Sequence, residues 1–257
     1  MRKLVSFFVA LVFLGLQFSS CKKAVVEKNT DDDNVETLPE YDNTAFGVYK
    51  GTFTKWLPID PDPTDPTRTG GSGNIRLVIN NGNNIAKAYI NVDNIIKDTL
   101  TSTATFTLGQ PVTNVLFAGN VSTIRFSVNA NGTNPVLNNV TVNSRWHSST
   151  IEHSLSTQPV EVYQGTFVSP NPLTSDETGL LNFIKKGDSL KFIQRYIYGT
   201  MNSGTGLVTG SNFTLQGNYF NATGSFSGTN YSGTWQMTMP PGVILQRTGI
   251  FTGTKTL

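Results

Sequence analysis

Apolar and polar residues alternate with a period of two through much of this chain after its first 45 residues. Ala104, Phe106 and Leu108 share one face, with Thr103, Thr105 and Thr107 on the other. Ile124, Phe126 and Val128 alternate with Thr123, Arg125 and Ser127. Tyr231, Gly233, Trp235, Met237 and Met239 alternate with Ser232, Thr234, Gln236 and Thr238. One apolar and one polar face is what an antiparallel strand shows when one side is wet. Asn81-Gly82, Gly119-Asn120, Asn131-Gly132, Gly187-Asp188 and Gly210-Ser211 separate these runs at the short intervals that hairpins need. No helical stripe follows the N-terminal segment. The pattern predicts an all-β fold of antiparallel strands, an up-and-down barrel or a sandwich.

The chain also repeats itself. Val48-Tyr49-Lys50-Gly51-Thr52-Phe53 recurs as Val162-Tyr163-Gln164-Gly165-Thr166-Phe167, and in each copy a Pro-containing loop, a strand, a turn and another strand follow. Two tandem β domains are expected, residues 46–145 and 158–257, joined by a linker over 146–157; about 100 residues is a usual domain size. Glycine recurs between large residues on one face, as in Tyr49-Gly51-Phe53, Tyr163-Gly165-Phe167 and Tyr231-Gly233-Trp235. Small beside large suits the taper of a small barrel and the coiling that closes it. The last strand, Gly249 to Thr254, echoes the strand that opens its domain, and pairing between the two would seal a meander. Ser232-Gly233-Thr234-Trp235 followed by Gly249-Ile250-Phe251-Thr252-Gly253 resembles avidin-like and lipocalin-like barrels. The resemblance implies a fold for the C-terminal half and carries over no binding residues.

The first residues obey a different pattern. Met1-Arg2-Lys3 precede an apolar run from Leu4 to Leu16, then Gln17-Phe18-Ser19-Ser20-Cys21. A basic start, a short apolar run and a small-residue exit form a secretory signal over residues 1–20, and the run is shorter than the roughly 20 residues that span a bilayer. Cys21 is the only cysteine. Placed directly after Ser19-Ser20, it resembles the lipobox of bacterial lipoproteins, with Phe18 where that family most often has Leu. The resemblance implies lipidation of Cys21 and attachment to the envelope of a Gram-negative bacterium, the expectation being the outer membrane, facing the periplasm or the cell surface. With that thiol acylated, disulfides, thiolate metal sites and cysteine nucleophiles are excluded by composition. Stable anchoring takes more than one acyl chain, at about 0.8 kcal/mol per buried methylene.

Charge narrows the class further. The chain has 19 basic and 17 acidic side chains; Arg2 and Lys3 leave with the signal, so the remainder balances. Residues 21–45 hold three lysines against seven carboxylates, Asp31-Asp32-Asp33 among them, and show no apolar periodicity. Such a stretch is expected to be a disordered tether reaching about 27 Å. The folded part has a slight basic excess but no dense basic stripe, so nucleic acid is not an expected partner.

Candidate chemistry is sparse. His147 and His153, with Glu152, fall in the expected linker, without zinc-site spacing, and are read as exposed. Neither a G-x-S-x-G serine nor a calcium loop is present; Asp60, Asp62 and Asp65 lack the glycine and distal Glu that such a loop needs. No metal and no cofactor are expected. Paired carboxylates of a glycoside hydrolase are the enzyme reading that best suits an envelope β protein, but Asp60, Asp62, Asp65, Asp176, Glu177 and Asp188 sit in loops and turns, where acids serve solubility. Trp56, Trp146 and Trp235 are candidates for stacking on a ligand, as are Tyr196, Tyr198 and Tyr219. Asp98-Thr99-Leu100 and Asp188-Ser189-Leu190 resemble an exported-protein O-glycosylation sequon, which implies modification at Thr99 and Ser189. The expectation is a non-enzymatic, lipid-anchored envelope protein binding a glycan, a small ligand or a partner protein. The alternative is a structural or accessory subunit of an envelope assembly, and glycoside hydrolysis comes third.

Overall fold

The computed structural model describes residues 35–55, 71–169, 177–196, 201–237 and 247–257. They form two tandem closed barrels of eight antiparallel strands each. The first comprises β1 (Gly47–Lys55), β2 (Ser72–Ile79), β3 (Ala86–Val92), β4 (Ile96–Thr101), β5 (Val112–Ala118), β6 (Ser122–Val128), β7 (Val136–Val142) and β8 (Arg145–Ser154). The second comprises β9 (Val160–Ser169), β10 (Glu177–Lys186), β11 (Ser189–Tyr196), β12 (Met201–Thr209), β13 (Asn212–Gly217), β14 (Phe220–Ser227), β15 (Asn230–Met237) and β16 (Arg247–Lys255). Each strand pairs with the next, and the last returns to the first. Gly51 lies opposite Ile151 in one closure, and Phe251 lies opposite Phe167 in the other. The all-β expectation holds, and between barrel and sandwich the answer is barrel. At the level of architecture this agrees with the avidin-like and lipocalin-like resemblance.

The hexapeptide repeat marks the two opening strands. Tyr49 and Phe53 of β1, like Tyr163 and Phe167 of β9, point into the cores. Both interiors are filled by their own side chains. Aliphatic residues dominate the first, among them Ile75, Leu77, Ile90, Leu100 and Ile124, with Tyr49, Phe53, Phe117 and Phe126 between them. Aromatic residues dominate the second: Tyr163, Phe167, Phe183, Phe192, Phe213, Phe220, Tyr231, Trp235 and Phe251. Inward glycines make room for these rings. A Cβ on Gly253 would overlap the Tyr231 ring, and one on Gly73 the Phe53 ring.

Three sequence expectations are corrected. Residues 102–107 are not a strand despite their alternation: β4 meets β5 only through Thr101 opposite Ala118, Phe106 alone turns toward the core, and Leu108 is 56% exposed. The expected linker is mostly β8, because Ile151 and the two histidines supply an inward face that seals the first barrel against β1. Residues 35–45, expected in the tether, are part of the fold. They lie on the first barrel, where Val35 packs with Val48 and Val78, and the Thr37 hydroxyl accepts the Val48 N–H at 2.8 Å. Asn81 accepts the Leu38 N–H at 2.8 Å and donates to the Glu36 carbonyl at 3.0 Å. Local charge predicts solvation, but alternate residues here find partners on the barrel wall.

Candidate functional site

The predicted site residues do not converge. Cys21, Trp56 and Tyr198 lie outside the described residues, as do Asp60, Asp62, Asp65 and Asp176. Trp146 takes its place in β8, opposite Thr141. Trp235 is a core residue: Phe167 meets it edge-on at 5.3 Å and Phe220 stacks on it at 5.9 Å, so its faces are already covered. Ligand stacking therefore has no support at Trp235. Thr99 and Ser189 are both exposed at strand positions. Asp98, beside Thr99, is buried and ties the hairpin after β5 to β4, accepting the N–H groups of Asn120, Val121 and Ser122 at 3.1, 3.0 and 2.8 Å. Burial pushes its carboxyl up, and these hydrogen bonds outweigh burial and hold it below the usual range.

The histidines are not exposed. His153 is 2% accessible and stacks on Tyr49 at 4.5 Å, while His147 meets Phe53 edge-on at 5.1 Å. Burial, with Lys186 nearby, pushes the His153 imidazole down to about 4 against the opposing pull of Asp42 and a hydrogen bond at Phe46. It is a neutral core ring. Among the described residues no group of three or more His, Cys, Asp and Glu side chains could hold a metal ion.

Charges gather instead at one mouth of the second barrel and at the junction between barrels. Burial raises the Glu161 carboxyl, but Lys185 and Lys255, each at 2.8 Å, outweigh it and bring it to about 2. At the junction, Asn182 of β10 donates to the Phe53 carbonyl at 3.3 Å and to the Ser72 hydroxyl at 2.5 Å. Lys191 pairs with Glu152, Glu36 joins Lys50 to Ser154, and the Ser154 hydroxyl accepts the Val160 N–H at 2.9 Å. Arg195, on the outer face of β11, is buried with no hydrogen-bond partner for its guanidinium nitrogens among the described residues, and burial lowers its pKa.

Among the described residues, concave features also lie outside the second barrel. A groove of about 760 Å³ runs over β13 to β16, bordered by Thr214, Gln216, Asn221, Thr223, Gln236 and Ile250. A second of about 480 Å³ adjoins it over β12 to β15 and shares Thr214, Thr223 and Thr234. Alternation assigned Thr234 and Gln236 to a polar face; the overlooked signal was the absence of any charged residue from Tyr196 to Gln246. Compared with known proteins, the chain matches no family model, no curated protein and no solved structure.

Proposed function

We propose that the chain is a lipid-anchored protein of the Gram-negative cell envelope that binds a glycan or a partner protein without catalysis, using the outside of its barrels. One observation carries this reading: both interiors are occupied by their own side chains, so recognition falls to the outer surface. The buried Asp98 and the half-buried Glu161 and Glu36 are committed as well. Asp98 holds a hairpin, Glu161 is paired with two lysines, and Glu36 is shared between Lys50 and Ser154. None of them has the freedom a glycosidase acid or nucleophile needs. The membrane is the partner implied by Cys21, reached through the segment that precedes Val35.

Two measurements test it. Intact mass of purified protein should show a chain beginning at an acylated Cys21; a chain starting at Met1 or a free thiol refutes the anchor. A glycan array probed with the protein kept intact from Val35 onward, since residues 35–45 are part of the fold, should show binding without turnover. The exposed Leu108, Leu116 and Val136 on the first barrel favour the accessory-subunit reading as second choice. Silence on the array together with capture of an envelope protein would move the assignment there.

A further inference from the structure

Five consecutive strands, β12 to β16, present an outer face with no charge on it. No Asp, Glu, Lys, Arg or His occurs between Arg195 and Arg247, and the outward positions of β16 are Thr248, Ile250, Thr252 and Thr254. Soluble surfaces usually carry about a quarter to a third of charged residues. A face cleared of them over five strands calls for a physical reason.

The register orders what remains. Leu207, Thr214, Thr223, Thr234 and Ile250 lie opposite one another in a single cross-strand row. On one flank runs a row of Thr205, Gln216, Asn221, Gln236 and Thr248, and on the other Asn212, Ser225, Ser232 and Thr252. Neighbours along a row are about 4.8 Å apart, and rows about 6.7 Å apart. The grooves follow these rows, and their volumes fall within the roughly 300–1,000 Å³ of ordinary ligand sites.

The chemistry selects the occupant. Hydroxyls and carboxamides each donate and accept hydrogen bonds, as sugar hydroxyls do. The central row adds threonine methyls between Leu207 and Ile250, 64% and 59% exposed, against which the C–H faces of sugar rings can lie. Tyr219, 47% exposed in the β13–β14 turn and two residues before Asn221, offers a platform at one end. At the outward positions of β12 to β16 an anionic polymer finds no cation and a cationic one no carboxylate; Lys191, opposite Thr205 on β11, is paired with Glu152. A protein partner would favour a centre of aromatics, Met and Arg, which this face lacks.

We propose that this face binds a neutral, hydroxyl-rich polysaccharide laid across β13 to β16. The inference rests on the binding reading above and gives it a ligand class and a place. Affinity for a single sugar is low on so open a surface, and successive residues of the polymer add avidity.

The test is affinity electrophoresis of the full chain in gels containing dextran, amylopectin, mannan or a mixed-linkage glucan, with alginate as the anionic control. At least one neutral polymer should retard the protein, and alginate should not. Asn221→Ala combined with Gln236→Ala should weaken retardation about tenfold or more, and Tyr219→Ala about threefold to tenfold. Thr99→Ala, on the first barrel, should leave it unchanged, and circular dichroism should show every variant folded. Retardation that survives the groove variants overturns this site while leaving a glycan-binding protein. Absence of retardation by every neutral polymer, or equal retardation by alginate, overturns the ligand class. A dimer of the wild type that Thr223→Lys dissociates would make the face a contact between copies and overturn the proposal.

Discussion

The first barrel bends its sheet with bulges and left-handed polar residues, and the second bends it with inward glycines. In the first, register shifts between Val112 and Val115 and between Arg125 and Phe126. All seven non-glycine residues with positive φ among those described belong to it: Asn80, Asp93, Asn94, Asn114, Asn134, Asn143 and Ser144. In the second, the described strands pair without a shift, positive φ is confined to Gly187, Gly210 and Gly228, and glycines such as Gly253 let the rings close ranks. Both devices answer one requirement, since a closed eight-stranded sheet must coil more than flat pleating allows. They leave different weak points. The bulged barrel has a seam at β4–β5, bridged by one residue pair and by the Asp98 carboxylate. The glycine barrel has no such seam and relies on packed aromatic rings.

Core truncation should expose that difference most strongly. Phe183 stacks on Tyr163 at 5.0 Å and meets Tyr231 at 4.6 Å and Phe213 at 5.5 Å. Phe183→Ala should cost about 3–5 kcal/mol, the range for an aromatic deleted from a filled core. Phe106→Ala at the seam of the first barrel removes a half-buried ring 6.2 Å from Phe117 and should cost about 1 kcal/mol. Urea unfolding followed by Trp235 fluorescence in a Trp56→Phe, Trp146→Phe background for the second barrel, with circular dichroism for the whole, measures both. Equal losses would mean that the seam is as tightly packed as the aromatic core.

Acid should separate the barrels next. His153 is held near 4 in the folded protein, below its ordinary 6.5, so the unfolded chain binds the proton more readily. The first barrel therefore loses stability as pH falls from about 6.5 to 4, by an amount on the order of 3 kcal/mol. Glu161 is depressed from 4.5 to about 2, so its contribution is full above 4.5 and disappears only as pH falls toward 2. Thermal melts between pH 7.5 and 3 should show the first barrel unfolding earlier, and His153→Gln should flatten the slope above pH 4. A slope unchanged in that variant would assign it to another group.

These contrasts also show what the sequence could and could not disclose. Alternation in Ile124–Val128 and Tyr231–Met237 and the repeated hexapeptide predicted strands and a tandem arrangement, and the glycines between large residues suited a barrel while a sandwich stayed open. The run 103–108 misled, since alternation describes a strand's faces but not whether a neighbour exists to pair with it. His147 and His153 were read as exposed because nothing local shows that β8 must return to β1, nearly the whole barrel away in sequence. The threonine and amide rows were equally hidden. Their members are ordinary wet-face residues until the register sets Thr214, Thr223 and Thr234 side by side.

A smaller effect of opposite sign is expected where the barrels meet. Glu161 has two lysines to offset its burial, whereas buried Arg195, opposite Leu180 in the register, has no hydrogen-bond partner among the described residues. An uncompensated buried charge is a cost that an apolar side chain of similar length removes. Arg195→Met should therefore stabilise the protein by about 1–3 kcal/mol, read as a raised midpoint in urea. A lowered midpoint would show that the guanidinium has an anionic partner in solution.

The smallest effect addresses whether the barrels unfold together at all. Asn182 reaches across the junction to the Phe53 carbonyl and the Ser72 hydroxyl, and all three groups are buried there. A neutral hydrogen bond contributes about 1 kcal/mol, and leaving its partners unsatisfied costs as much again or more. Asn182→Ala should thus lower stability by about 1–2 kcal/mol while leaving both cores intact. Because the contact joins opening strand β1 to β10, its loss should act on coupling more than on either barrel alone. If the wild type melts in one transition, the variant should broaden toward two, with Trp235 in the Trp56→Phe, Trp146→Phe background reporting the second. A single unbroadened transition in Asn182→Ala would place the coupling in the strap of residues 35–45, where Glu36 joins Lys50 to Ser154 at the end of β8. Glu36→Gln would then produce the broadening in its place.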